Sequence, residues 1–281
     1  MERIKYVWIF LILFLINGFA FADTYLEYKS FPKGKVLVYL TPKYMRMDVE
    51  EYGGIEVPPV TLIYNKFPRK IFILNHKEKS YVEINEELLK KIEEAKKEME
   101  EQLSNLPPVA REMAKQMFMP GCEKLKEIPD EPCEEPKIIG EEIFKNLPAK
   151  IVDGCKHFDV EKNSFVICRF WFVDGKKLNI DPKDFETLSS FLDFEWEFVK
   201  VMGSFCGTEA SSIFLARPQR ILKLDYELPI PVKASAVSEG IEETQIILEN
   251  VSTNALKEDL FTLPKNYKKI DIKVPEFKKR R

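Results

Sequence analysis

The chain has 281 residues, of which 45% are hydrophobic and 32% are charged, and its formal net charge is −3. This length suffices for one large domain or two small ones, and the lack of excess basic charge excludes a typical nucleic-acid-binding protein. Lys and Glu are abundant while Gln and His are scarce, a balance typical of thermophilic proteins.

Residues 1–22 have the pattern of a secretory signal peptide. A basic start precedes the apolar run Val7–Ile16, and Ala20-Phe21-Ala22 has the small-residue pattern of a cleavage site. The apolar run is too short to span a bilayer comfortably, which favours a cleaved signal over the alternative of an uncleaved anchor. We therefore expect an exported, periplasmic protein that is soluble after cleavage, with residues 23–281 as its mature single domain.

Short β-rich segments follow, separated by turns that contain Gly, Pro or Asn, and this pattern predicts an antiparallel meander. The predicted strands are Tyr25–Phe31, Lys35–Leu40, Tyr44–Val49, Val60–Tyr64, Arg69–Leu74 and Lys79–Ile84. Tyr44–Val49 alternates between polar and apolar residues, so one of its faces is expected to be solvated. Ile71–Leu74 is apolar throughout, so both faces of the sheet must be covered there.

A helical insertion is predicted over residues 85–120. Asn85 is suited to cap the first helix, and two glutamates follow it at the positive end of the helix dipole. The apolar residues recur at three- and four-residue spacing. They are Leu88, Leu89, Ile92, Ala95, Met99 and Leu103. Two prolines then break the helix, and a second helix carries Met113 and Met117 and ends near Pro120.

The second half predicts more strands with one helix between them. The strands are Ile138–Phe144, Ile151–Val160, Phe165–Val173, Ser212–Ala216, Ile221–Leu228, Val232–Val237 and Thr244–Val251. The helix begins at Asp181-Pro182 and ends at Met202-Gly203. Its predicted buried stripe is Phe185, Leu188, Leu192, Trp196 and Val199. Helices inserted between antiparallel strands predict the α+β class.

Five cysteines in an exported chain favour disulfide bonds, because secretory compartments are oxidising. Cys155 and Cys168 are symmetrical about the turn of a predicted hairpin, so its ladder would place them opposite each other within bonding range. Cys122 and Cys133 could close a second small loop, which leaves Cys206 over. The spacing does not decide among the arrangements that five cysteines allow.

The order of these elements resembles the bacterial outer-membrane lipoprotein carrier (LolA/LolB-like) superfamily. The resemblance rests on Tyr44–Asp48, on Arg69–Ile84 with the helices after it, and on the closing Leu260–Tyr267. Within that superfamily the chain is similar to the group called domain of unknown function 4412. That similarity rests on the Met-rich helix broken by Leu106-Pro107-Pro108 and on Gly154-Cys155 entering a strand.

The resemblance implies a fold and a class of partner. The carriers are periplasmic, and their fold is an unclosed antiparallel half-barrel whose concave, apolar face is covered by helices. The same architecture is therefore expected here. Lipid or a lipoprotein becomes the partner class to test.

No catalytic or cofactor motif is evident, so we expect a non-enzymatic protein without a metal or cofactor. His76 lies in a predicted turn, where a solvated side chain is expected. His157 is two residues from Cys155, but the pair matches no usual zinc spacing. Ser204 directly follows the first glycine of Gly203–Gly207, so this segment does not match the G-x-S-x-G motif of a nucleophile elbow. An enzyme would need a cleft where His157 or His76 meets Cys206 or a carboxylate.

Methionines are concentrated in the strand and helices that are predicted to face each other. They are adaptable side chains that suit surfaces for varied apolar ligands, and ordinary core packing is the alternative interpretation. The candidates are Met45, Met47, Met99, Met113 and Met117. We predict a protein that holds a lipid or other apolar ligand between sheet and helices. The alternative is an envelope structural or protein-interaction scaffold.

Overall fold

The computed structural model of the protein describes residues 23–50, 59–107, 110, 137–159, 164–206 and 224–274. Within these ranges, twelve strands form one sheet. They are β1 Thr24–Ser30, β2 Lys35–Leu40, β3 Tyr44–Val49, β4 Val60–Asn65, β5 Lys70–Asn75, β6 Ser80–Asn85, β7 Lys137–Phe144, β8 Leu147–Asp159, β9 Ser164–Asp174, β10 Pro229–Ser238, β11 Ile241–Thr253 and β12 Lys268–Lys269. The helices are α1, Glu86–Ser104, and α2, Pro182–Cys206, with short 3-10 helices at Gly175–Leu178 and Glu258–Phe261.

The sheet consists of two meanders joined by their first and last strands. β1 to β6 lie side by side in chain order, and so do β7 to β11. β1 pairs with β11, from Thr24 opposite Thr253 to Ser30 opposite Ile246. These neighbours are all antiparallel, whereas β12 pairs with β6 in parallel. β12 and β7 are the outermost strands of the described sheet, which is therefore unclosed, as the sequence predicts.

The first meander follows the turn pattern of the sequence closely. β2 and β3 have the predicted bounds, β4 ends one residue later than predicted, and β1, β5 and β6 are each shifted by one residue at both ends. Met45, Tyr64 and Ile71 are paired across β3, β4 and β5, so they share one face of the sheet, and all three are buried. The rings of Phe191 and Phe194 from α2 lie 5.6 and 6.2 Å from the ring of Tyr64. This is the concave face, and α2 covers it.

The opposite face of the same strands is covered by the C-terminal segment, residues 254–274. Ile63 and Phe72 are buried there in one cluster with Phe261. The ring of Phe261 stacks on Tyr44 with 5.6 Å between centroids. The prediction that the apolar strands are covered on both faces is confirmed.

α1 forms where the sequence predicts it. The side chain of Asn85 accepts a hydrogen bond from the Leu88 amide at 2.9 Å and so caps the helix. The helix ends before Asn105, as expected from the prolines that follow. Its buried residues are Leu89, Ile92, Ala95, Met99 and Leu103. Leu88 is half-buried instead.

α2 starts as predicted but differs in its end and in its buried face. Asp181 caps it, accepting from the Lys183 amide at 2.8 Å, and the helix continues to Cys206. Of the predicted stripe, Leu192 is buried, whereas Phe185, Leu188 and Trp196 are half-buried and the side chain of Val199 lies outside the described part. Phe191, Phe194 and Val201 are buried as well. Because α2 contacts β2, β3 and α1, its buried face is wider than one stripe.

The predicted strand Ile221–Leu228 is wrong for its described part. Leu224 and Leu228 are buried and the two acidic residues between them are exposed, so the expected alternation is present. These residues nevertheless form no ladder; Leu224 packs in one cluster with Phe170 of β9. Alternation determines which side chains face the protein, but it does not supply a strand partner.

Some predicted elements lie outside the described residues. These are the signal peptide, the second helix of the insertion and the strand Ser212–Ala216. Neither α1 nor α2, as far as they are described, is long and apolar enough to cross a membrane.

Replacement of Phe261 by alanine tests the cover on the convex face. We expect Phe261→Ala to lower the free energy of unfolding by about 3–5 kcal/mol, because it removes a buried ring. Phe67 is 79% exposed, so Phe67→Ala is the matched control and should change it by less than about 0.5 kcal/mol. Urea unfolding followed by fluorescence gives both values. Equal losses in the two variants would show that the C-terminal segment does not cover the sheet.

Candidate functional site

A cleft of about 720 Å³ lies between α1 and the end of the C-terminal segment, beside β6 and β12. We call it the α1 cleft. Its apolar lining residues are Leu88, Ala95, Ile270, Ile272 and Val274. Its polar lining residues are Glu83, Asn85, Glu87, Lys91, Glu94, Glu98, Lys269 and Asp271. Carboxylates outnumber ammonium groups, so the rim is negatively charged.

The apolar lining is accessible and is positioned by β12. The Lys268 amide donates to the Lys79 carbonyl at 2.9 Å, and the Ile270 amide donates to the Tyr81 carbonyl at 2.8 Å. Ile270 and Ile272 remain 46% and 40% exposed. These two isoleucine side chains are therefore accessible to solvent beside α1.

An ion pair fastens this wall of the cleft to the sheet. Lys269 Nζ lies 2.9 Å from a carboxylate oxygen of Glu83, and Asn85 donates to the other oxygen at 3.1 Å. The hydrogen bond from Lys269 is the main cause that lowers the pKa of Glu83, and the same bond raises the pKa of Lys269. Both groups are therefore held in their charged forms at neutral pH.

At Tyr267, before β12, hydrogen bonds attach the C-terminal segment to β4 and to the turn between β5 and β6. The Thr61 hydroxyl donates to Asp48 at 2.5 Å and lies 2.7 Å from Nε2 of His76. Nδ1 of His76 lies 2.6 Å from the Tyr267 hydroxyl. The expectation of a solvated His76 is wrong, because the turn folds its ring against the C-terminal segment. Thr61 is buried, so this arrangement attaches the segment and offers no accessible nucleophile.

Arg69 joins the two helices at the start of β5. Its Nε donates to Glu86 of α1 at 2.8 Å, and its Nη1 donates to Glu197 of α2 at 3.0 Å. Its guanidinium carbon also lies 5.2 Å from the ring centroid of Phe194. The bonds to Glu197 and Glu86 raise the pKa of Arg69 above its ordinary value. This contact fixes α1, and hence one wall of the cleft, relative to α2.

The methionines predicted to contact a ligand lie in separate places. Met45 is buried on the concave face beneath α2, and Met47 packs against the same core. Met99 is buried in another cluster, where Val274 of the cleft packs against it. Met113 and Met117 lie outside the described residues. Of the described methionines, Met99 is the one beside the α1 cleft, and a ligand contact stays a prediction.

The cysteines of the hairpin lie at a bulge. The register of β8 and β9 places Gly154 and Cys155 opposite Cys168. Burial raises the pKa of the Cys168 thiol to about 11. The side chain of Cys155 lies outside the described part, as do those of Cys122, Cys133 and Cys206. Both predicted disulfides therefore stay predictions.

Within the described ranges, no cluster of His, Cys, Asp and Glu could hold a metal ion. The side chain of His157 lies outside those ranges, so the zinc alternative is not tested there.

Sequence reasoning missed the apolar wall of the α1 cleft. A usable signal was present: Ile270, Ile272 and Val274 alternate with charged residues, the pattern of an extended chain with one apolar side. The segment was too short to be recognised as a strand in its own right. Nothing in the sequence indicated that α1 would lie beside it.

No family model and no curated protein matches the chain, so membership of domain of unknown function 4412 stays a prediction. Among solved structures, the chain is similar to an uncharacterised conserved protein from Thermus thermophilus. Identity is 6%, 90% of this chain and 92% of that chain are covered, and the TM-score is 0.40. It is also similar to LprF from Mycobacterium bovis, with 11% identity, coverage of 88% and 90%, and a TM-score of 0.26. At these TM-scores neither neighbour carries a functional argument.

Replacement of Lys269 tests how the cleft wall is held. Glu83 has a lowered pKa in the folded state, so its ion pair stabilises the fold above its ordinary pKa of 4.5 and is lost as the pH falls below it. We expect Lys269→Met to lower the protection factor of the Ile270 amide at pH 7 and to remove the fall in that protection factor at acid pH. Lys273→Met, at an exposed lysine four residues later, is the control and should leave exchange unchanged. Identical exchange in both variants would contradict the role of Lys269.

Proposed function

We propose that the protein is an exported, non-enzymatic binding protein that holds a lipid or another apolar ligand between its helices and its sheet, in the α1 cleft. The observation that carries the proposal is the accessible apolar wall of this cleft. Ile270 and Ile272 face open space beside α1, although comparable side chains on the concave face are buried. Exposed apolar surface within a concave, polar-rimmed site is a usual feature of ligand-binding clefts.

The concave face itself is a weaker candidate. Leu40, Tyr64 and Phe194 are fully buried there, so protein side chains occupy the space beneath α2. A ligand would have to displace α2 and break the contact of Arg69 with Glu197. The α1 cleft requires no such movement.

The rim selects the head group of the ligand. Glu87, Glu94 and Glu98 line the α1 side, and Lys91 is the one basic residue that α1 contributes. A negatively charged rim attracts cationic or zwitterionic groups and repels anionic ones. We propose an apolar chain that lies along the isoleucines, with a cationic or neutral head group at the rim.

Native mass spectrometry of the exported chain, purified without detergent, tests the proposal. A mass released on denaturation that matches an apolar molecule is the expected result. A fluorescent long-chain alkylamine then serves as the probe for affinity. The probe should bind more tightly than the corresponding fatty acid, and a preference for the fatty acid would contradict the proposed head-group class.

Ile272→Gln should weaken binding of the probe by about tenfold or more. Burial of an isoleucine contributes about 1.5–3 kcal/mol, and a tenfold change corresponds to about 1.4 kcal/mol. Ile241 is an exposed isoleucine at the start of β11, outside the lining of the cleft, so Ile241→Gln is the matched control. Equal affinity in the two variants would place any binding elsewhere and refute the cleft assignment.

One observation favours the scaffold as a second candidate. β7 is an outer strand of the described sheet, and Ile138, Ile139 and Ile143 on it are 46%, 48% and 69% exposed. An edge strand with exposed apolar side chains is a template for pairing with another strand. We propose a second copy of the chain as the first partner to test.

Sedimentation at rising protein concentration tests this second candidate. The unmodified chain should self-associate at micromolar to millimolar concentration, and Ile143→Lys should shift the transition at least about tenfold upward because a charge at an apolar edge opposes pairing. Ile241→Lys provides the control for the added charge. A chain that stays monomeric throughout would remove β7 as an interface between copies.

A further inference from the structure

A buried carboxylate in the first turn of α2 is only partly satisfied. Asp184 is 0% exposed, and so is Thr24 of β1 beside it. The Thr24 hydroxyl donates to Oδ2 of Asp184 at 2.8 Å. Oδ1 of Asp184 is buried and has no hydrogen-bond partner in the part of the chain that the structure describes. Buried polar atoms are nearly always paired, so this oxygen calls for a donor.

Burial and nearby carboxylates disfavour the ionised form of Asp184. Burial is the main cause that raises its pKa, to about 7, and two further carboxylates, Asp181 and Asp23, add to the rise. The hydrogen bonds from Thr24 oppose it. Within the described residues, the charged groups that act on Asp184 are these two carboxylates, and no lysine or arginine is among them.

Asp23 is held firmly next to this pocket. Its carbonyl accepts from the Asn254 amide at 3.1 Å, and its carboxylate accepts from the Leu256 amide at 2.7 Å. The backbone nitrogens of consecutive residues are within roughly 3.7 Å of each other, because three bonds separate them. The nitrogen of Asp23 is thus adjacent to Thr24, whose hydroxyl bonds to Asp184.

We propose that Oδ1 of Asp184 binds the α-ammonium group that forms when the chain is cleaved before Asp23. The proposal rests on the predicted signal-peptide cleavage and not on the lipid-binding function. Hydrolysis of the bond between Ala22 and Asp23 adds one water: the hydroxyl goes to the Ala22 carbonyl carbon, and a proton goes to the Asp23 nitrogen. That amine takes up a further proton at neutral pH.

The new terminus supplies what the pocket lacks. An ammonium group brings a positive charge and three N–H donors next to the Asp184 carboxylate. Removal of the signal then does more than release the chain: it completes the contact between β1 and the start of α2.

The pH dependence of stability differs between the two forms of the chain. With a residue before Asp23, Asp184 has a folded pKa of about 7 against an ordinary value of 3.8, so its contribution is present at low pH and is lost as the pH rises between these values. In the cleaved chain, the ammonium keeps Asp184 ionised. That stabilisation persists until the pH passes the pKa of the amine, ordinarily about 8 and raised by the pairing.

The experiment compares two purified chains, one that begins at Asp23 and one that retains Ala22. Thermal unfolding is followed from pH 5 to pH 9. The chain that begins at Asp23 should be the more stable at pH 7, by several degrees, and the difference should shrink toward pH 9 as the amine loses its proton. Superimposable pH profiles would overturn the proposal.

Asp184→Asn in both chains provides the second test. It should destabilise the chain that begins at Asp23 more than the chain that retains Ala22, and it should speed acylation of the terminal amine at pH 7 by about tenfold. Asp225→Asn is the matched control, because the side chain of Asp225 is 94% exposed and Asp225 is not among the groups that act on Asp184. Equal effects of Asp184→Asn in both chains, or an exported product that begins at another residue, would refute the assignment.

Discussion

The pairing of β1 with β11 is the contact on which the rest of the structure depends. It joins strands that lie far apart in the described chain, and each half would otherwise be a separate meander. Bringing such distant segments together costs chain entropy, and contacts around the seam offset it. The Tyr28 hydroxyl donates to the Pro231 carbonyl at 3.0 Å, and Asp23 binds two amides that follow β11. The position of α2 on the concave face follows from this seam.

The first meander and α1 could be predicted because their determinants are local. Turn residues separate the strands of the meander, and Asn85 and the glutamates after it mark the start of α1. The register follows from short turns, so the pairing of neighbouring strands requires no distant information. In the second half, five predicted strands form as β7 to β11, but the predicted strand 221–228 fails because strand formation also needs a free neighbouring strand. Leu224–Leu228 has the alternation of a strand, but β10 already pairs with β9 and β11.

The candidate site was less predictable than the fold, because tertiary contacts assemble it. The methionine pattern predicts one ligand-binding surface, but Met45 and Met99 are buried in two different clusters. The α1 cleft combines residues of β6 and α1, which are contiguous in the chain, with the C-terminal segment, which is far from them in sequence. In the sequence, Asp184 cannot be distinguished from any other acidic residue in the first turn of a helix. Its burial against Thr24 is visible only once β1 and α2 are brought together.

The two outer strands of the described sheet have unequal edges. β12 consists of two lysines, which shield β6 and give a neighbour little backbone to pair with. β7 is eight residues long and carries exposed isoleucines. A fibre that grows by adding sheets end to end needs a receptive edge on both sides of every copy. If two copies pair through β7, as proposed above, the pair presents a β12 edge at each side, and growth by strand pairing stops at two copies.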